Sequence, residues 1–360
     1  MKCLQVASVF GAVLLAASHA GAEPYLAVRE GLPCAQCHVD PAGGGLRTVF
    51  GNAYAQTQLA ARREYPERLW TGMVGAMLQI GGDLLASASY TYVPGEDSTS
   101  EFDLDEFRLY ANLNLLPQRL DIYVDEHIAP DGANNLEAYL KYTMAHGEWY
   151  ARAGKFYLPY GWRLEDDAAF IRQVTGVNFA TPDDGLEVGW LHGPWTAQVS
   201  LTNGTAGGPE TDNGKQVSGR LEYIRGWWRA GVSANVNDSD AGDRTMGGLF
   251  AGLRTGPVSW LGEADYIEDE GTPGGRRKLW VGLLEANWLI RKGQNLKLTA
   301  EYFEPDRDVD EDEQNRFSLL WEYAPMEFLQ LRTGVRAYDG IPQNALQNRT
   351  EAFVQLHGYF

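Results

Sequence analysis

Hydrophobicity in this chain alternates with a period of two, and it does so in many separate segments. In "FRLYANLNL", Phe107, Leu109, Ala111, Leu113 and Leu115 fall on one face, and Arg108, Tyr110, Asn112 and Asn114 on the other. "WTAQVSLT" sets Trp195, Ala197, Val199 and Leu201 against Thr196, Gln198, Ser200 and Thr202, and "RFSLLWEY" from Arg316 to Tyr323 behaves alike. Side chains on a strand point alternately to its two faces, so this pattern predicts strands that are apolar on one side and polar on the other.

A soluble sandwich would alternate as well, and the links between strands separate the two cases. Short links such as 116–119, 146–148, 192–194, 254–257, 291–294 and 324–327 take turns with long ones such as 94–101, 201–216, 268–278, 304–316 and 339–350. Roughly sixteen strands with alternating short and long links predict an all-β, transmembrane antiparallel β-barrel with both chain ends on the short-turn, periplasmic side. The closing segment "EAFVQLHGYF" puts Ala352, Val354, Leu356, Gly358 and Phe360 on one face. Such a terminal strand ending in Phe resembles the assembly signal of Gram-negative outer-membrane proteins. Residues 159–184 form much the longest link. A link of that length in a compact fold is usually functional. It either folds into the lumen, as in porins, or lies over the mouth. The surrounding "GKFYLPYGWRLEDD" also resembles, in texture, polyanion-selective porins of the phosphate-porin type.

The first residues carry Lys2, an apolar run from Leu4 to Ala17, and Ala20-Gly21-Ala22. That order predicts a secretory signal peptide over 1–22, and the apolar run is too short for a membrane anchor. Cys3 leaves with it, so the mature chain keeps Cys34 and Cys37. The chain holds 30 Lys and Arg against 48 Asp and Glu, a net charge of -18. Such a balance repels nucleic acid and favours cations and cationic partners.

Residues 23–69 have a different texture from the barrel, 70–360. They hold "GLPCAQCHVDPAGGG", followed by a stretch from Leu46 to about Arg63 that is compatible with a helix. Cys34-x-x-Cys37-His38 spaces two thiols to add to the two vinyl groups of a haem, with the adjacent His as an axial ligand of the iron. The export signal agrees, since this attachment takes place outside the cytoplasm. A thioredoxin-like redox pair lacks its βαβ surroundings. A zinc site lacks further ligands, because His38 is the only His in the segment. A plain disulfide stays open in an oxidising compartment. The three glycines Gly43–Gly45 suit either close approach to a flat cofactor or a flexible turn. The second axial ligand is not in residues 23–69, which have neither Met nor another His, so the candidates are Met73, Met77 and His357. Of these, His357 alternates with the outward Leu356 and Gly358 and so points into the lumen.

"PYLAVREGLPCAQCH" resembles the amino-terminal signature of the fused cytochrome–porins of iron-oxidising bacteria, through Pro24, Ala27, Gly31, Cys34, Cys37 and His38; Leu26, Val28, Arg29 and Glu30 depart from that signature. The resemblance implies one covalent haem c placed before a barrel of about sixteen strands. It implies electron transfer between an extracellular donor or acceptor, Fe(II) among them, and periplasmic cytochromes, with outer-membrane lipid around the wall. If enzymatic, the activity would be of a ferrous-iron oxidase type. Two other readings stay open. One is a diffusion porin with an accessory or sensory haem, and the other is a barrel sheathing a separate multihaem cytochrome.

By parity, Arg220, Glu222, Arg229, Glu263, Asp265, Glu285, Lys297, Glu301, Arg316, Glu322, Arg332 and Arg336 face inward. Their mixed signs predict wall-to-wall ion pairs. The long links are acidic, with Glu165–Asp167, Glu268–Glu270 and 306–312 expected to face outward, where they would gather cations or stay as solvated charge.

Overall fold

The computed structural model describes residues 23–177, 181–210, 212–272 and 275–360. The expected signal peptide, 1–22, lies outside the described residues. Ahead of the barrel come α1 (Pro24–Glu30), α2 (Cys34–Cys37) and α3 (Val49–Tyr54), and a two-residue strand, β1 (Met73–Val74). The barrel strands are β2 (Leu78–Tyr92), β3 (Thr99–Leu116), β4 (Leu120–Ala129), β5 (Asn134–Thr143), β6 (Trp149–Phe156), β7 (Asp183–His192), β8 (Trp195–Thr202) and β9 (Gln216–Arg225). They continue with β10 (Trp228–Asn237), β11 (Arg244–Thr255), β12 (Val258–Asp269), β13 (Arg277–Arg291), β14 (Gln294–Glu304), β15 (Gln314–Met326), β16 (Leu329–Asp339) and β17 (Thr350–Tyr359). Each pairs antiparallel with its sequence neighbour. The last, β17, pairs back onto β2 from Thr350↔Tyr92 to Tyr359↔Asp83, so sixteen strands close into a barrel with no free edge.

The alternation sorts the wall as the sequence predicts. Leu186, Val199, Leu249, Leu284, Leu298 and Phe317 are exposed on the outside. Trp149, Trp195, Trp227, Trp260 and Trp288 ring the short-turn end, and Tyr90, Tyr92, Trp280 and Tyr302 the other. An apolar band between two aromatic girdles is the exterior a bilayer requires. All the charged positions assigned inward by parity are turned into the lumen. Arg229 bonds Glu222 at 2.5 Å, and Lys297 pairs with Glu322 at 3.3 Å.

The lumen is filled twice over. The segment before the barrel enters from the short-turn end, and its wall partners lie in the first few residues of that end: Asp83, Tyr123, Arg152, Arg229, Lys297, Glu322 and Arg332. Deeper in lies the link between β6 and β7, which carries the short helix α4 (Phe170–Thr175). Tyr160 donates to Asp265 at 2.9 Å, the Trp162 N–H donates to Glu263 at 2.6 Å, and Arg316 pairs with Asp166 at 2.8 Å. The long link therefore folds inward. The expectation that Glu165, Asp166 and Asp167 face outward is corrected: Arg332 takes Glu165, Arg316 and Arg336 take Asp166, and Arg172 lies 3.7 Å from Asp167. Wall cations attract them into a lumen that charge texture alone could not locate.

Two local boundaries also move. The helix expected over Leu46–Arg63 shortens to α3 and one wide turn, Ala55–Leu59. It ends because the following backbone is taken by the wall. The Ala61 N–H donates to the Ala324 carbonyl at 2.8 Å, and the Glu64 and Tyr65 N–H groups donate to the Glu327 carboxylate. Within the barrel segment expected from residue 70, the first long strand starts only at Leu78. Gly72 and Gly75 both sit in the left-handed region, with φ of 80° and 70°, which breaks an extended ladder.

Candidate functional site

Cys34-x-x-Cys37 forms the single turn of α2, which ends as the His38 N–H bonds back to the Cys34 carbonyl at 3.0 Å. That turn sets both thiols on one side, and both are free. His38 then leaves in extended conformation and bridges to Arg47, with the Val39 N–H donating to the Leu46 carbonyl at 2.9 Å. The five residues Asp40–Gly44 fold over as a tight loop. Gly43, Gly44 and Gly45 all have positive φ, and a Cβ on Gly45 would lie 2.4 Å from the Tyr123 hydroxyl. The glycines thus let the backbone pass close to the barrel wall, where Tyr123 accepts from the Leu46 N–H at 3.2 Å. α3 closes the unit. Thr48 caps it by accepting from the Gly51 N–H at 3.0 Å, and Gly51 is so close to the Cys37 carbonyl that a Cβ would sit 2.1 Å away.

Asp40 is the anchor that joins the three layers of the interior. It is fully buried, pairs with Arg152 of β6 at 3.2 Å and with Arg163 of the inward link at 3.0 Å. Burial alone would raise its carboxyl; Arg152 and Arg163 overcome this and hold it well below the usual carboxylate range. At the other end of the segment Glu23 pairs with Lys297 at 2.8 Å and Arg332 at 3.0 Å, and Tyr25 donates to Glu322 at 2.9 Å.

These elements enclose two adjoining cavities. The smaller, about 770 Å³ with its opening, is lined by Cys34, Cys37 and His38 together with Leu26, Ala27, Leu32, Ala55, Leu59 and Trp162. The larger, about 1240 Å³, is lined by His38 again and, across from it, by Glu165, Arg332 and His357. Concave, largely apolar space with a few polar groups is the form that cofactor sites take.

His38 Nδ1 is shut off from solvent and has no hydrogen-bond partner among the described residues. Burial, then the positive charges of Arg47 and Arg163, lower the His38 ring pKa to about 4, so the imidazole is neutral near pH 7 with a lone pair available to a metal. Burial, then Cys34 and Glu30, raise the Cys37 thiol to about 11. Two thiols and a neutral, under-bonded imidazole facing one apolar cavity fit a covalently attached haem. Among the described residues no three His, Cys, Asp or Glu gather into a metal cage of their own.

The candidates for a second ligand are placed differently. His357 does point inward and lines the larger cavity; it is buried, its Nε2 2.9 Å from Asp83 and its Nδ1 3.3 Å from Gln330. Met73 and Met77 are not among the residues lining either cavity, and Met77 is exposed. Sequence reasoning did not single out Asp40, Arg152 or Arg163. The partners stand more than a hundred positions apart along the chain, and no local pattern marks them.

No protein-family model matches the chain, and no curated protein matches it in sequence. Its fold is similar to solved porins. The anion-selective porin from Comamonas acidovorans superposes with a TM-score of 0.61 at 13% identity, over 79% of this chain and 99% of that one. OmpTdeltaL8, a loop-deletion mutant of an outer membrane protein of Vibrio cholerae, gives 0.60 at 12%, over 79% and 100%. OprB of Pseudomonas putida gives 0.58 at 10%, over 79% and 94%. The chain has the porin-like fold: a closed antiparallel barrel of sixteen strands.

Proposed function

We propose that this protein is an outer-membrane monohaem cytochrome–porin. It carries electrons between an extracellular donor or acceptor, Fe(II) among the candidates, and periplasmic cytochromes. The observation that carries the reading is the convergence of Cys34, Cys37 and His38 on one lumenal cavity, with His38 Nδ1 buried and unbonded. Cys34 and Cys37 would hold the haem covalently, and His38 would ligate its iron. The bound haem would supply a one-electron centre whose iron cycles between two oxidation states.

The chain's own residues do the rest. The ion pairs of Glu23 and Asp40 hold the segment in place, and Leu26, Leu32 and Leu59 exclude water from the cavity. Arg47 and Arg163 keep positive charge near His38, which keeps its ring neutral and favours the more electron-rich state of a bound metal. His357 is the better placed second ligand; to serve, it would exchange its bond to Asp83 or to Gln330.

The fold comparisons favour a second reading, a diffusion porin in which the haem is accessory or sensory. They bear on the barrel, and in this barrel the segment and the inward link both occupy the lumen a solute would cross. A haem-stained denaturing gel tests the first requirement of the proposal. Wild type matured with active haem attachment should stain at about one haem per chain, and Cys34→Ala or Cys37→Ala should lose the stain. An unstained wild type would leave the diffusion porin.

A further inference from the structure

The net charge of -18 is not spread evenly over the molecule. The long-loop end is strongly acidic: residues 304–313 alone hold seven carboxylates and a single Arg. The short-turn end is the reverse. Its rim exposes Arg68, Arg119, Arg225, Arg254, Arg291 and Lys292. Three of its acids are taken up, while Glu67 stays exposed. Arg62 pairs with Glu64 at 2.7 Å, the Glu148 carboxylate lies 2.9 Å from His192, and Glu327 is spent on the backbone N–H groups of Glu64 and Tyr65.

Within that basic rim α3 leaves two apolar side chains in solvent, Val49 at 47% and Phe50 at 42% exposure. Phe50 stacks on the Tyr54 ring, with centroids 6.3 Å apart, and still stays exposed with Val49, while α3 turns Gly51 and Asn52 inward. The residues flanking them touch the Cys37 backbone. The Thr48 N–H donates to the Cys37 carbonyl at 2.9 Å, and Gly51 abuts the same carbonyl. An apolar centre inside a charged rim is the anatomy of a transient protein interface: the rim steers the encounter and the centre holds it.

We propose that the short-turn mouth is a docking face for an acidic soluble electron-transfer protein. Val49 and Phe50 form its apolar centre, and the basic rim selects the sign of the partner. The proposal rests on the functional reading for the redox nature of the partner. The face itself is defined by charge and exposure and does not need the haem. A partner seated on Phe50 would be separated from Cys37 by little more than α3, which is where an electron-transfer contact should be, because transfer falls steeply with distance.

The full-length protein in lipid nanodiscs, with both ends accessible, tests this with a small acidic soluble cytochrome as the probe. Wild type should bind it, more weakly as salt rises. Changing Arg225, Arg254, Arg291 and Lys292 together to Gln should weaken binding about tenfold or more. Phe50→Ser should weaken it with little change in the salt dependence. A basic cytochrome, drawn to the acidic long loops, is the fold control; its binding should not change in the rim variant. Cys34→Ala, which lacks the attachment chemistry, should still bind the acidic probe. Loss of haem with retained binding separates failure of the redox reading from failure of the docking face. An acidic probe that ignores wild type, or binds the rim variant equally well, overturns the proposal.

Discussion

A neutral, under-bonded imidazole in a buried site is costly unless something completes its bonding. At His38 that cost falls beside two free thiols on one wall of a cavity, and the proposed covalent haem would account for all three. His357 is the residue whose role is least forced by its surroundings, because both ring nitrogens already have partners. If it supplies the second ligand, His357→Ala should change the reduced visible spectrum of the purified protein, and Met73→Ala and Met77→Ala should not. An unchanged spectrum in His357→Ala, with a change in either Met variant, would show that β1 and its flanking turn move in toward the iron when it is bound.

The inward link is the element whose position rests most on charge. Asp166 sits between Arg316 at 2.8 Å and Arg336 at 3.0 Å. Burial would raise its carboxyl, but Arg316 and then Arg336 hold it below the ordinary range. A depressed carboxyl pKa stabilises the folded link at all pH above the ordinary value, about 3.9, and the contribution is lost as pH falls below that toward the folded value. Protection of the 160–177 amides, each exchange rate being taken relative to its intrinsic rate at that pH, should therefore be level from neutral pH down to about 4 and fall below it. Asp166→Asn should give fast exchange already at neutral pH, a loss of about 1–3 kcal/mol of local stability. Equal exchange in variant and wild type would mean that packing of Trp162 and Phe170 against the wall holds the link without the ion pair.

The elements also show how far sequence alone carries. Period-two alternation yielded the strands, their number and the inward set, because a barrel wall has a strict two-sidedness that one chain records locally. The short-turn and long-loop alternation gave the orientation of the ends for the same reason. Cys34, Cys37 and His38 could be singled out because the proposed haem attachment would fix their spacing, and in the fold they line one cavity. What could not be read was three-dimensional partnership. Asp40 with Arg163, Glu23 with Lys297 and Asp166 with Arg316 join residues 123, 274 and 150 positions apart. The inward fold of the long link and the shortening of the helix after Tyr54 both follow from such pairs.

At the scale of the whole molecule, the barrel is a porin-like wall whose short-turn end is occupied by its own N-terminal segment. Deleting 23–69 should leave a barrel that still assembles, since its ladder closes through β17 and β2 without that segment. Reconstituted in planar bilayers, the deletion should conduct ions several-fold better than the intact chain. Equal conductance would place the limiting constriction at the inward link.

Under the proposed function electrons, rather than solutes, cross this barrel. Liposomes holding an oxidised cytochrome inside, with a membrane-impermeant reductant outside, test that claim directly. Wild type should reduce the enclosed cytochrome. His38→Ala should not, while still assembling as a barrel by its heat-modifiable migration on a gel. Equal rates of reduction in the two proteoliposomes would mean that reductant simply passes through a pore, and the electron-conduit account would fail.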